Sequence, residues 1–223
     1  MDRLAERRAK MKRVHYINLK VWIIPVFGLI AAAVCMAFLP DEIPIRWDSA
    51  GNVQTASRYT IFLLPVISMA VLILGHIVPA IDPKKKEYAD ISREYTIIHL
   101  LVMLLLFAAE AFIIVSSLGV AVSGGMFAYL AAGALFCTLG NYLPKLPPTY
   151  LTGIKTVWGY KNDAVWAKIH RFGGKLWFFG GLALMALAFI PISFPLNLVV
   201  IAVLVVVPRF YGMIISVNSD INQ

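Results

Sequence analysis

Glu110 stands alone as an acidic side chain in the middle of a long apolar run, with His99 eleven residues before it. Eleven steps of about 100° return to within about 20°, so the two share one helix face, roughly 16 Å apart along it and out of bonding reach. A carboxyl at mid-span costs on the order of 2.5–3.5 kcal/mol on insertion scales, so such residues face a bundle interior or water and are functional candidates. A carboxyl hydrogen-bonded to a neighbouring helix is the structural alternative, of equal weight. His76 and His99 lie near the ends of apolar runs and read as interfacial or packed histidines.

Two polar segments hold the remaining chemistry. The first, residues 40–58, reads PDEIPIRWDSAGNVQTASR. Pro40 and Pro44 stiffen its start, and Ser49, Ala50, Gly51 and Asn52 signal a turn. Arg46, Trp47 and Asp48 put an aromatic face between opposite charges, which suits a binding surface. A lone interfacial tryptophan on a simple connection would look the same.

The second segment, residues 141–175, is the longest polar stretch. Pro144, Pro147 and Pro148 stop the preceding apolar run, and Gly153, Trp158 and Gly159 fall in an irregular aromatic turn. Asp163 is expected to cap a short helix, AVWAKIHRF, ended by Gly173 and Gly174. Trp166, Ile169 and Phe172 would lie on one side of it with Lys168, Arg171 and Lys175 around them. Such a helix is expected on the inner leaflet, held by anionic lipid at about 1 kcal/mol per basic residue. Docking of a cytoplasmic partner would use the same side chains.

The sequence contains no HExxH, GxSxG, Walker A or GxGxxG pattern. Cys35 and Cys137 both sit in apolar runs, so neither a disulfide framework nor a CxxC metal site is expected. Val34 before Cys35 does not suit lipidation at that cysteine. The reading is of a non-enzyme with no metal and no cofactor.

The elements that must position these residues follow from composition. The 223 residues are 60% hydrophobic and only 14% charged, with mean hydropathy +0.79, too apolar for a soluble fold of this size to hide. About 20 apolar residues cross about 30 Å of hydrocarbon, and six stretches meet or approach that: 21–39, 59–81, 97–119, 126–143, 176–192 and 194–217. Pro191 and Pro195 flank a Ser193 corner between the last two. The first stretch is longer than a signal-peptide core and reads as an uncleaved span.

The net charge of +8 comes from 20 Lys and Arg against 12 Asp and Glu. All the cations except Arg46 and Arg58 fall on one side of such a bundle, which by the positive-inside rule is the cytoplasm. The fold class is therefore all-α: a polytopic membrane protein with six transmembrane helices and both termini cytoplasmic. Its charge reflects topology and not nucleic-acid binding. Gly28/Ala32, Ala33/Ala37 and Ala128/Ala132 offer small pairs for close helix approach in lipid.

In these two loops the chain resembles the SdpI family, bacterial cell-membrane proteins that give immunity to a secreted, sporulation-delaying peptide toxin. The outer LPDEIPIRWDSAGN is similar to the family's N-terminal signature. The inner GNYLPKLPPTYLTGIKTVWGYKNDAVWAKIHRFGGKL is similar to its C-terminal one, the more specific of the two. The family's first motif commonly has His where this chain has Arg46. Its second commonly reads Gly-Ile-Arg-Thr-Pro-Trp-Thr where this chain has Gly153-Ile154-Lys155-Thr156-Val157-Trp158-Gly159.

The resemblance implies an outward-facing site that meets an extracellular toxin peptide, to which Pro44, Trp47 and Gly51 belong by match. It also implies an inward-facing site, with Asn141, Gly153, Lys155, Trp158, Trp166, His170 and Arg171, that in some members recruits a small ArsR-like repressor.

The chain is expected to divide into a basic tail at 1–20, a three-span half at 21–119 and a second, SdpI-like three-span half at 120–223. If the second half is an inverted copy of the first, a transporter is a competing reading. A membrane enzyme using His170 and Asp163 is a thinner one.

Overall fold

The computed structural model describes residues 16–48, 52–190 and 194–221, with side chains left out for residue 161 and for 194–198 and 217–221. The basic tail before residue 16, Gly51 and the Ser193 corner lie outside the described residues. The chain is mostly helical. A 3-10 turn, Leu19–Trp22, leads into α1, Ile23–Cys35. A second 3-10 turn, Arg58–Phe62, leads into α2, Leu63–Ile81. Then come α3, Ser92–Ser117; α4, Gly124–Tyr142; α5, Asp163–Leu187; and α6, Phe194–Ile221.

Among the described residues, four stretches are long and apolar enough to cross a bilayer: Arg58–Ile81, Ser92–Ser117, Gly124–Lys145 and Val199–Ser216. Leu19–Cys35 is apolar but shorter. α5 has 25 residues, but its first half carries exposed Lys168, Arg171 and Lys175.

The all-α expectation needs one correction. Residues Glu42–Trp47 (β1) and Val53–Ser57 (β2) form an antiparallel hairpin. Ile43, Ile45, Val53 and Thr55 are β-branched and suit a pleated, half-buried surface. Asp48 closes the turn: its carboxyl oxygens accept from the Asn52 backbone N–H and side-chain amide, both at 2.8 Å, and its own N–H donates to Asn52 O. The register slips between Pro44 and Arg46. Pro44 has no N–H to give the ladder, and the bulge absorbs the extra residue there.

Prolines inside two helices show how buried backbone is kept satisfied. Pro79 denies Gly75 O its helical donor, and the Tyr95 hydroxyl of α3 donates to that carbonyl at 2.9 Å. Pro208 does the same to Leu204 O, and the Trp177 indole of α5 supplies a donor at 2.6 Å. In lipid an orphan carbonyl has no water to turn to, so each proline is matched by an aromatic donor from the neighbouring helix.

α4 and α5 pack backbone to backbone through glycines seven apart. A Cβ on Gly133 would stand 2.6 Å from Gly181 O, and one on Gly174 2.7 Å from Gly140 O. This seam takes the place expected of the spacing-four pairs. Of those, Gly28 and Ala32 are buried, while Ala33, Ala37 and Ala128 face outward. Any Cβ between α4 and α5 would push the backbones apart, whereas an exposed alanine merely meets lipid.

Candidate functional site

At one end of the bundle, the polar segment after α4 folds over the start of α5 into a knot. His170 is fully buried. Its Nδ1–H donates to Trp166 O at 2.9 Å, one helical turn back, and its Nε2 accepts the Ile154 N–H at 3.0 Å. That pair of partners fixes the neutral tautomer. Burial holds its pKa down at about 4, against an ordinary 6.5. The Trp166 ring stacks on the imidazole with centroids 4.0 Å apart, and its Nε1–H donates to Leu146 O at 2.9 Å.

Gly153 lets the chain turn into this contact. Its φ is +92°, and a Cβ there would stand 2.6 Å from His170 Nε2. Both conditions require glycine. Gly153, Trp166 and His170 are thus brought together, and half-buried Trp158 packs on the same core. Lys155, Lys168 and Arg171 point outward, and Asn141 is exposed at the end of α4.

Three expectations about α5 are corrected here. Asn162 is the cap: its side-chain oxygen accepts from Ala164 N at 2.8 Å and Val165 N at 3.3 Å, while Asp163 lies in the first turn. The helix also continues through Gly173 and Gly174, where the glycines make room for neighbours and do not end it. Trp166 and Ile169, expected on the lipid-facing side of an interfacial helix, are buried inside the fold, Trp166 against Leu146 and Gly153 and Ile169 against Gly159 and Gly212 of α6.

Asp82, which the sequence reading passed over, locks the knot to the first half of the chain. It is 1% exposed at the end of α2. Its Oδ2 accepts from Tyr150 N at 3.1 Å, Leu151 N at 3.0 Å and the Tyr88 hydroxyl at 3.0 Å, and its Oδ1 from Lys84 N at 2.8 Å. Burial, the largest influence, raises the Tyr88 phenol above its ordinary value and keeps it a donor. The available signal was an acidic residue directly after an apolar run, followed by Pro83 and three lysines.

At the opposite end, the hairpin sits on a small core of Ala32, Leu39, Ile43, Ile61 and Ile114. Trp47 is half-buried. Its ring meets Phe112 of α3 at 4.9 Å, Phe112 stacks on Phe127 of α4 at 4.6 Å, and a Cβ on Gly124 would stand 2.5 Å from Trp47 Cγ. Trp47 therefore bridges the hairpin to both halves of the chain. Pro44 is half-buried, and Arg46 and Asp48 are exposed. Arg58 donates to Leu39 O at 3.3 Å and pairs with Asp41 at 3.5 Å, fixing the hairpin's base.

Within the bundle, Glu110 is 1% exposed, and its Oε1 has no hydrogen-bond partner among the described residues. Its carboxyl lies against Gly28 of α1, where a Cβ would stand 2.6 Å from Oε2. His99 packs further along α3, its Nε2 against Gly75 and its Nδ1 paired with Tyr95 O at 2.8 Å. Among the described residues no group of three or more His, Cys, Asp or Glu could hold a metal ion.

These features define a multi-helix, membrane-type protein with a built polar structure at each end. Residues 145–216 match the SdpI/YfhL protein family, and residues 23–69 match a domain of unknown function, DUF1648. The chain is 24% identical to the Immunity protein SdpI of Bacillus subtilis (strain 168) over 183 residues, 82% of this chain and 86% of that protein. The resemblance to the SdpI family read from the two loops is thus shown. No solved structure matches the chain.

Proposed function

We propose that this protein is an integral membrane immunity protein that protects a bacterial cell against a secreted toxin peptide. The observation that carries the reading is the similarity to Immunity protein SdpI along most of both chains. In this reading the chain crosses the cytoplasmic membrane six times with both termini inside, so the hairpin faces out and the His170 knot faces in. The charge distribution supports that orientation. Lys84, Lys145, Lys155 and Lys168 belong to the knot's end, which Asp82 draws together, and Arg46 and Arg58 to the other.

The hairpin is the toxin contact, with Arg46 exposed beside the Trp47 bridge and Asp48 at the end of β1. The inner end is the signalling surface: Lys155, Lys168 and Arg171 project from the fixed knot, where an ArsR-like repressor would dock. Trp166, His170 and Gly153 then act by holding that surface in shape. Expression in a toxin-sensitive host tests the proposal. The chain should raise survival, and Trp47→Ala should reduce it at equal membrane abundance. No survival advantage from the unmodified chain at normal abundance would refute an immunity role.

A further inference from the structure

Just beyond the Gly140–Gly174 contact, α4 and α5 part into an open-sided cleft of about 230 Å³. Its polar lip is formed by Asn141 of α4 and Lys175 of α5. Both side chains are exposed, and neither has a hydrogen bond or ion pair among the described residues. No acidic residue lines the cleft. Its floor is apolar: Pro144, with Phe178 and Phe179 one helical turn along α5, 36% and 65% exposed respectively. Three to four residues of helix place those rings about 5–6 Å beyond Lys175.

We propose that this cleft binds a phospholipid of the inner leaflet, with the headgroup phosphate held by Lys175 and Asn141 and the acyl chains laid over Phe178 and Phe179. An unpaired ammonium and an amide donor suit a phosphate oxygen. The two phenylalanines gain nothing from a hydrated inorganic ion, but they suit the hydrocarbon attached to a lipid phosphate. The order along the helix axis, cation first and aromatic rings deeper, is the order in which a lipid presents those parts. Lys168 and Arg171 are exposed on the same helix but do not line the cleft. They supply the comparison between a built site and general attraction to an anionic surface.

The test uses the full chain purified in neutral detergent and titrated with dioleoyl phosphatidylglycerol, with bound lipid counted by native mass spectrometry. Lys175→Gln should weaken binding about fivefold, the effect of one basic residue at a lipid surface, and Lys175→Arg should retain it. Asn141→Leu should weaken binding as well, and Lys168→Gln should leave it unchanged. Equal losses for Lys175→Gln and Lys168→Gln would refute a defined site. Displacement of the lipid by an equal concentration of inorganic phosphate would also overturn the proposal, in favour of a free-anion site. Because Lys175 is exposed, its substitution does not threaten folding.

Discussion

Replacing Asp82 by alanine tests the knot most directly. The carboxyl accepts four hydrogen bonds, from Lys84 N, Tyr150 N, Leu151 N and the Tyr88 hydroxyl. Of these donors, Lys84 N lies in the connection between α2 and α3 and turns readily to water. The other three lose a partner inside or beneath the turn. An orphaned buried donor costs about 1–3 kcal/mol; Tyr150 and Leu151 are 47% and 38% exposed, which places their losses near the lower end, whereas Tyr88 is fully buried and sits higher in that range.

Asp82→Ala should therefore destabilise the inner end by about 3–5 kcal/mol, while Asp82→Asn, which keeps one acceptor oxygen, should lose less. Trypsin cleavage at Lys145 and Lys155, which flank the turn, reports its opening. A loss of about 3 kcal/mol raises the open population roughly 100-fold, and cleavage should accelerate accordingly when opening is fast. Cleavage at Arg58, beneath the hairpin at the other end, should not change. An Asp82→Ala protein cut at the wild-type rate, with thermal unfolding in detergent unmoved, would refute the argument that this carboxyl clasps the two halves.

The remaining predictions concern acidity, topology and the bundle interior. His170 stays neutral in the fold down to about pH 4, while an unfolded loop takes up a proton near 6.5. Stability should be full above 6.5 and fall by about 3 kcal/mol as the pH drops to about 4. Thermal melts across that range should show this slope, and a slope persisting unchanged in His170→Asn would assign it elsewhere. Single cysteines at Gln54 and Lys155, in a background lacking Cys35 and Cys137, should react with an impermeant thiol reagent from outside only at Gln54. Labelling at Lys155 in intact cells would reverse the orientation. If Glu110 supports protection, Glu110→Leu should lower survival in the toxin assay below the unmodified chain at matched expression. Equal survival for Glu110, Glu110→Gln and Glu110→Leu would remove it from the function.

The sequence alone determined that this is a membrane-type protein, where its apolar runs lie and which two polar segments interrupt them. These are properties of composition and order, and lipid enforces them because unpaired backbone and charge are costly there. Tertiary structure decided what sequence distance conceals. Asp82 meets Tyr150 and Leu151 across 68 and 69 residues, a pairing that local pattern does not encode. Trp166 and Ile169 read as a lipid-facing stripe, because helical periodicity identifies an apolar side without naming what covers it. In the fold the loop from Leu146 to Ile154 covers Trp166, and Gly212 of α6 lies against Ile169. Trp47 was legible first as an interfacial anchor and second as a contact, and the approach of Phe112 and Gly124 made it a bridge. The hairpin escaped notice because its alternation is short and broken by Pro44, so it becomes stable only once Ile43 is buried against Leu39, Ile61 and Ile114.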